Sequence, residues 1–361
     1  MPDTNMSLSV TINQAFEIIR STWQQEGGWK IVFLLLGEPG IGKTALSLML
    51  RNSDLPGRLG VSPDRCVEKN MSDAGVEDYR GLPDVSGDVT VWKPDAFFAN
   101  LRHGTGPAIF AMSEVTDCDG PLQNYLCRII RDRMAGDLPL TERLFIVADG
   151  NRTFDKSGAN RLSTKLGNRV IQLTIEFNQL EWEQWGHSAG VGADILAFHR
   201  WKADTSGGSD PRTSVSSAIG FDPNRSINPT ARAWAELADS IDRSLPPATY
   251  LAALSACVTT GPATEFVAFQ QYWKQLPETQ TLWTKTAELP IPKELQGQYA
   301  LALYAASLVT PDVMPAFVLL MDRLNKTFAT PMMISASRRC PAIVNTVAYG
   351  QWAIKNKHVN F

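Results

Sequence analysis

The chain has 361 residues and a formal net charge of −3, with 44% hydrophobic and 20% charged residues. Single hydrophobic cores usually stop growing at roughly 250 to 300 residues, so the length predicts two domains. The composition is that of a globular protein, and the small charge argues against nucleic acid as a partner. The sequence contains neither an apolar run approaching about 18 residues nor a signal-peptide pattern at its start, so we expect a cytoplasmic protein without a membrane partner.

Residues 12–23 place apolar side chains at helical intervals, which predicts a helix ahead of the first strand. Residues 31–36 form an unbroken apolar run that predicts a strand buried on both faces of a parallel sheet. Residues 44–51 have the composition of a helix. Between this strand and helix lies Gly-Glu-Pro-Gly-Ile-Gly-Lys-Thr, at 37–44.

The spacing Gly-x₄-Gly-Lys-Thr predicts a nucleotide-phosphate loop with ATP and Mg²⁺ as cofactors. Glycine permits backbone conformations that turn successive N–H groups toward phosphate oxygens at a helix N-terminus. The lysine would reach the β and γ phosphates, and the threonine hydroxyl would hold Mg²⁺. The residues expected to bind nucleotide are Gly37, Pro39, Gly40, Ile41, Gly42, Lys43 and Thr44.

Further along the chain, a short strand is predicted at 65–70. Two extended segments on either side of Ser-Gly-Asp at 86–88 then predict a small hairpin within 85–92.

A second buried strand is predicted at 107–112, and it ends at Ser113 and Glu114. In phosphate-loop ATPases, an Asp at this point holds the water shell of the magnesium ion, and the following Glu polarises the attacking water. Glu114 fits the second role, whereas Ser113 stands in place of the Asp and is a weaker ligand for a hard cation. Either hydrolysis is slow, or Asp117 or Asp119 compensates.

A helix is predicted from Pro121, capped by Asp119 or Gly120. The third strand, at 144–148, runs into Asp-Gly-Asn at 149–151, where a polar side chain could touch the γ-phosphate or its attacking water. Another strand is predicted at 170–177.

The pattern divides the chain into a nucleotide-binding domain at 1–204, a polar linker at 205–222 and a helical domain at 223–361. In the helical domain, one helix is predicted to begin at Arg232. Others are predicted near 247–259, 262–275, 296–308 and 312–328.

The order of these motifs resembles the MoxR family of AAA+ ATPases over most of the chain. Besides the phosphate loop, the similar segments are Tyr-Arg-Gly-Leu-Pro at 79–83, Gly-Asp-Leu-Pro-Leu at 136–140, Ala-Asp-Gly-Asn at 148–151, Gly-Asn-Arg at 167–169 and Asn-Pro-Thr-Ala-Arg-Ala-Trp at 228–234. Ser113 departs from the family's Asp, and Ala231 and Ala235 depart from its usual Pro and Glu.

This resemblance implies an α/β AAA+ core, with a parallel sheet between helical layers, followed by an all-helical lid. It assigns Asn151 as sensor 1, Arg169 as the arginine finger offered to a neighbouring subunit, and Arg232 as sensor 2. It also implies a helix-2 insert near 81–93 and a homo-oligomeric ring, expected to be a hexamer. Family members commonly work with a protein that carries a von Willebrand factor A domain.

The leading hypothesis is therefore a ring-forming ATPase that couples ATP binding and hydrolysis to remodelling or maturation of a protein partner. The alternative is an ATP-gated assembly module with little hydrolysis, because Ser113 replaces the Asp. A nucleic-acid motor would share the core, but the sequence lacks a basic stripe with interleaved aromatic residues.

Overall fold

A computed structural model describes residues 9–73, 75–93, 95–155, 158–205 and 221–356. The chain forms two compact units. The first comprises Met1–Asn178 with Phe221–Ser226 and Thr230–Arg232, and the second comprises Gln179–Gly220, Ile227–Pro229 and Ala233–Phe361. The first unit thus ends earlier than the boundary expected at 204. Most of the predicted linker, 206–220, lies outside the described residues.

The first unit is built on a parallel sheet with strand order β1-β10-β2-β9-β6-β3. Its strands are β1 (Ser9–Val10), β2 (Val32–Leu36), β3 (Cys66–Asn70), β6 (Ala108–Ser113), β9 (Leu144–Gly150) and β10 (Ile171–Ile175). Two antiparallel hairpins stand apart from this sheet, namely β4 (Leu82–Asp84) with β5 (Val91–Lys93), and β7 (Met134–Ala135) with β8 (Leu138–Pro139). A hairpin is therefore confirmed in this region, but the predicted extent of 85–92 is wrong, because its strands lie at 82–84 and 91–93 and residues 85–90 connect them.

The helices of the first unit are α1 (Ile12–Trp23), α2 (Lys43–Asn52), α3 (Leu55–Leu59), α4 (Val76–Arg80), α5 (Gly120–Asp132) and α6 (Thr164–Gly167). Asp119 caps α5, because its side chain accepts a hydrogen bond from the Leu122 N–H at 2.9 Å.

Side chains alternate between the two faces of the sheet. Odd-numbered apolar residues of β2, β6 and β9 lie in one core with α1 and α2, including Leu35, Ala111, Val147, Ile19 and Leu46. Even-numbered residues of the same strands lie in a second core with α5, including Leu34, Met112, Ala148, Leu122 and Leu126. Both faces of the sheet are therefore covered, as predicted for a phosphate-loop α/β core.

The second unit is helical, which confirms the predicted fold class. Its helices are α7 (Gln179–Ala189), α8 (Ala193–Thr205), α9 (Pro247–Val258), α10 (Thr260–Trp273), α11 (Thr279–Thr284), α12 (Leu295–Leu308), α13 (Met314–Arg323), α14 (Lys326–Arg339) and α15 (Val347–Lys355), with a π-helical turn at Ala233–Ala238. The helix predicted over 312–328 is wrong in extent, because α13 ends at Arg323 and a new helix begins at Lys326. Within the described residues, no helix is both long and apolar enough to cross a membrane.

Candidate nucleotide-binding site

The loop between β2 and α2 has the backbone geometry of a phosphate cradle. Gly40 and Gly42 have φ values of +75° and +101°, a region that favours glycine. Gly42 is the N-cap of α2, so Lys43 and Thr44 occupy the first positions of the helix, where free N–H groups attract anions. A Cβ on Gly40 would lie 2.7 Å from the Thr230 hydroxyl oxygen, which leaves no room for a side chain there.

The Lys43 side chain is buried at this loop and spans it. Its Nζ donates to the carbonyl oxygens of Gly37 and Glu38, each at 2.8 Å, and to Asn151 Oδ1 at 3.0 Å. Burial lowers the pKa of Lys43 to about 8, and the negative charges of Asp149 and Asp155 oppose this shift. The structure thus brings together Lys43 and Asn151, two of the residues predicted from sequence.

Asp149, on β9, is a buried acid next to this lysine, with only 3% of its surface exposed. Its Oδ1 accepts a hydrogen bond from the Glu114 N–H at 3.2 Å. Burial raises the pKa of Asp149, while this N–H, the charge of Lys43 and the adjacent Thr44 side chain lower it. The sequence predicted a polar contact with the γ-phosphate or its attacking water at 149–151, and Asp149 was not assigned a role of its own.

Glu114 follows β6 and is held in a fixed orientation. Its φ of +59° lies in the left-handed region, which costs a non-glycine residue roughly 1 kcal/mol and is typical of functional sites. Its Oε2 accepts hydrogen bonds from Asn70 Nδ2 at 3.0 Å and Ser72 Oγ at 2.8 Å. Asn70 and Ser72 were missed in the sequence, although the carboxyl ends of neighbouring parallel strands meet at one edge of a sheet.

Ser113 is directed toward β3. Its hydroxyl donates to Glu68 Oε1 at 3.0 Å, so the structure places it with Glu68 rather than with Thr44. Asp117 accepts a hydrogen bond from the Thr116 hydroxyl at 3.2 Å, and its pKa is raised mainly by burial. Asp119 is engaged as the cap of α5.

Two arginines lie near the loop within the first unit. The Arg232 N–H donates to the Gly40 carbonyl at 3.2 Å, and the charge of Arg232 contributes to lowering the pKa of Lys43. Arg152, which the sequence analysis missed, forms ion pairs with Glu38 at 3.1 Å and Asp155 at 2.8 Å. Arg232 was predicted in the helical domain, but the structure includes it in the first unit.

Arg169 lies elsewhere, between α6 and β10. Its guanidinium donates to the Lys165 carbonyl, and its charge acts on Cys127 and Asp132. The cationic neighbours that affect Lys43 are Arg152 and Arg232. The structure therefore does not bring Arg169 to the phosphate loop of its own chain.

Oxygen atoms near Thr44 are of the kind that binds Mg²⁺, because this ion prefers hard oxygen ligands and keeps several of its waters. The Thr44 hydroxyl and the Asp149 carboxylate are two such oxygens on adjacent elements. Both oxygens fit the ion. Ser113, which the sequence predicted as a possible second ligand, is hydrogen-bonded to Glu68 instead.

Sheet and loop together define a phosphate-loop α/β core, and a helical unit follows it in the chain. No protein-family model and no curated protein matches the chain.

The chain is similar to three solved structures, among others. NtrX from Brucella abortus in complex with ADP is 15% identical, with 98% of this chain and 70% of that chain covered and a TM-score of 0.37. The Thermotoga maritima RuvB Holliday junction branch migration motor is 14% identical, with 86% of each chain covered and a TM-score of 0.32. A DNA polymerase III gamma subunit-related protein from the same organism is 12% identical, with 91% and 99% covered and a TM-score of 0.33. All three TM-scores are below 0.5.

Proposed function

We propose that the protein is a ring-forming AAA+ ATPase that couples ATP binding and hydrolysis to a change in a protein partner. The observation that carries this proposal is the position of Lys43. Its ammonium group lies inside a glycine loop at a helix N-terminus, bonded to Asn151 from the neighbouring strand. An ammonium and several N–H groups converging on one loop make a binding site for a polyphosphate.

The chain's own residues have separable roles in this proposal. The loop N–H groups and Lys43 bind the phosphates, and Asn151 positions the terminal phosphate or the attacking water. Glu114 accepts a proton from that water or orients it, since its carboxylate is held at the end of the strand next to β9. Mg²⁺ would neutralise the phosphate charge, with the Thr44 hydroxyl as one of its ligands.

Assignment to the MoxR type, a hexameric ring and a partner with a von Willebrand factor A domain remain part of the proposal. They are supported by the order of sequence motifs from the phosphate loop to residues 228–234. Arg169 supports the ring, because an arginine finger must come from a neighbouring subunit if it lies away from its own loop.

A specific observation favours the alternative, an ATP-gated assembly module with little hydrolysis. Ser113 carries no charge and donates its hydrogen bond to Glu68. Phosphate release by the wild type and by Ser113→Asp separates the two functions. Rapid turnover in the wild type excludes the alternative, whereas slow turnover that Ser113→Asp accelerates supports it.

Substitution of Lys43 tests the proposal directly. Lys43→Ala removes a charged hydrogen-bond donor, and such a hydrogen bond contributes about 1.5 to 3 kcal/mol. ATP affinity should therefore fall roughly 10- to 100-fold. Titration calorimetry on the full chain measures this change. Glu114→Gln is the matched control, because it should retain ATP binding but lower phosphate release by about 10² to 10⁴-fold. Wild-type protein that does not bind ATP, or binding unaffected by Lys43→Ala, would contradict the proposal.

A further inference from the structure

We infer that Asp149 provides the carboxylate for Mg²⁺ that the sequence lacks at Ser113. In this arrangement the carboxylate comes from the end of β9 and not from the end of β6. β9 is the neighbour of β2, the strand that leads into the phosphate loop. The inference rests on the proposed function, because the ion would enter with ATP.

Strand register supports this exchange. Met112 pairs with Ala148, so the next residues, Ser113 and Asp149, follow side by side on adjacent parallel strands. Asp149 itself pairs with Leu35, near the end of β2. Since neighbouring strands lie about 4.8 Å apart, a carboxylate on β9 is one strand spacing closer to the loop than one on β6.

The pleat directs Asp149 to the correct face of the sheet. Odd-numbered residues of β2, β6 and β9 face the core that contains α2, the helix that begins at the phosphate loop. Asp149 continues the series of Phe145 and Val147 on that face. Its carboxylate therefore lies on the side of the sheet that holds α2, in whose first turn Thr44 lies.

The contacts of Asp149 agree with this position. The neighbouring Thr44 side chain and the charge of Lys43 both lower the pKa of this carboxylate, against the effect of burial. The Glu114 N–H fixes Oδ1 at 3.2 Å. A buried acid is thus held between the predicted magnesium ligand, the phosphate-binding lysine and the backbone of the candidate catalytic glutamate.

The other candidate acids fit less well. Asp119 is exposed and caps α5. Asp117 lies near Glu114 and Lys43, but its hydrogen-bond donor is Thr116 rather than Thr44. Mg²⁺ is usually held through one or two carboxylates together with phosphates and waters, so Thr44 and Asp149 suffice on the protein side.

The experiment compares ATP binding to the full chain in excess Mg²⁺ and in EDTA, by titration calorimetry. Wild-type protein should bind ATP more tightly with Mg²⁺. In Asp149→Asn this advantage should shrink by about 10- to 100-fold, the usual cost of losing a residue that supports a metal site. Binding in EDTA should persist or strengthen, because a negative charge beside the phosphates has been removed. The matched control, Asp117→Asn, should keep the wild-type advantage.

The outcomes separate the inference from the function on which it rests. Wild-type protein that binds no ATP in either condition contradicts the proposed ATPase, whereas an Asp149→Asn protein that keeps the full Mg²⁺ advantage contradicts the role of Asp149 alone. A selective loss in Asp117→Asn would assign the role to that residue instead. Circular dichroism checks folding, and Asp149→Ser replaces the Asn variant if the latter does not fold. Adding Ser113→Asp to Asp149→Asn should restore part of the advantage, since the two positions are adjacent.

Discussion

His199, on α8, is a titratable residue buried in the second unit. It is buried among Trp182, Phe198 and Trp234, with its ring centroid 4.6 Å from that of Trp234. Within the described part of the chain, neither ring nitrogen has a hydrogen-bond partner. Burial lowers the pKa of His199 from 6.5 to about 3, so the folded state holds this ring neutral.

This burial predicts acid destabilisation. The pKa of His199 is lower in the folded state than in the unfolded state. Its contribution to the free energy of unfolding is therefore fully present above pH 6.5 and is lost as the pH falls toward 3. Between pH 7 and pH 5, the free energy of unfolding should fall by about 2 kcal/mol through this group.

Urea denaturation at pH 7 and pH 5 measures the effect. His199→Phe should remove this part of the pH dependence, whereas the exposed control His103→Phe should leave it unchanged. Equal pH dependence in the wild type and His199→Phe would show that the buried ring does not titrate on unfolding.

The candidate site was predictable from the sequence where one local motif defines the chemistry. Lys43 and Thr44 follow from the glycine loop, and the structure places Asn151, predicted from its position after a strand, in contact with Lys43. The proposed role of Asp149 was not predictable in this way, because it depends on β9 lying between β2 and β6. Strand order brings together residues more than a hundred positions apart, and a single sequence does not reveal it.

The five longer strands of the main sheet were predicted well, because most of them have a local signal in a run or an alternation of apolar residues. The hairpins were predicted less well, since the strands of the first lie outside 85–90 and the second, at 134–139, was not predicted from its turn sequence. The end of the chain was predicted less well. Pro331 lies inside α14, where proline usually ends a helix, and the continuation of that helix was missed. The contact between the two hairpins was also not predictable. Trp92 and Asp137 join them through hydrogen bonds at 3.1 and 3.5 Å.

We expect the contact between the two hairpins to be most sensitive to substitution at Gly136. It has φ +56°, and a Cβ there would lie 2.3 Å from the Arg80 carbonyl oxygen. Gly136→Ala should therefore lower the free energy of unfolding by about 2 to 4 kcal/mol, from the left-handed backbone and the clash together.

Gly104→Ala is the control for the backbone cost. Gly104 has φ +85°, but a Cβ there would meet nothing within 4 Å, so we expect a loss of only about 1 kcal/mol. Chemical denaturation of both variants gives the difference. Equal losses would mean that the hairpins move apart to accommodate the methyl group.

At the scale of the whole molecule, the proposed ring divides each active site between two subunits. Lys43 would bind the nucleotide in one subunit, and Arg169 would come from the next. Arg169→Ala should retain ATP binding and lose about 10³-fold or more in hydrolysis. Arg161→Ala, an exposed arginine nearby in sequence, should hydrolyse ATP at the wild-type rate.

Mixing two inactive variants tests the sharing itself. An Arg169→Ala subunit keeps an intact loop, and a Lys43→Ala subunit keeps an intact arginine. Phosphate release should therefore reappear when the two proteins are combined. No recovery, with both proteins assembling together by light scattering, would mean that Arg169 does not act across an interface.

The path of the chain limits how the molecule can be dissected. After Asn178 it enters the second unit, and it returns to the first at Phe221–Ser226 and Thr230–Arg232. A fragment ending at 178 would retain every strand of the main sheet but lack both Thr230 and Arg232, which contact Gly40. The first unit therefore cannot be separated from the second by a single cut in the chain. Recombination that replaced everything after residue 178 would also replace part of the proposed nucleotide site, so we expect the two parts to be inherited together.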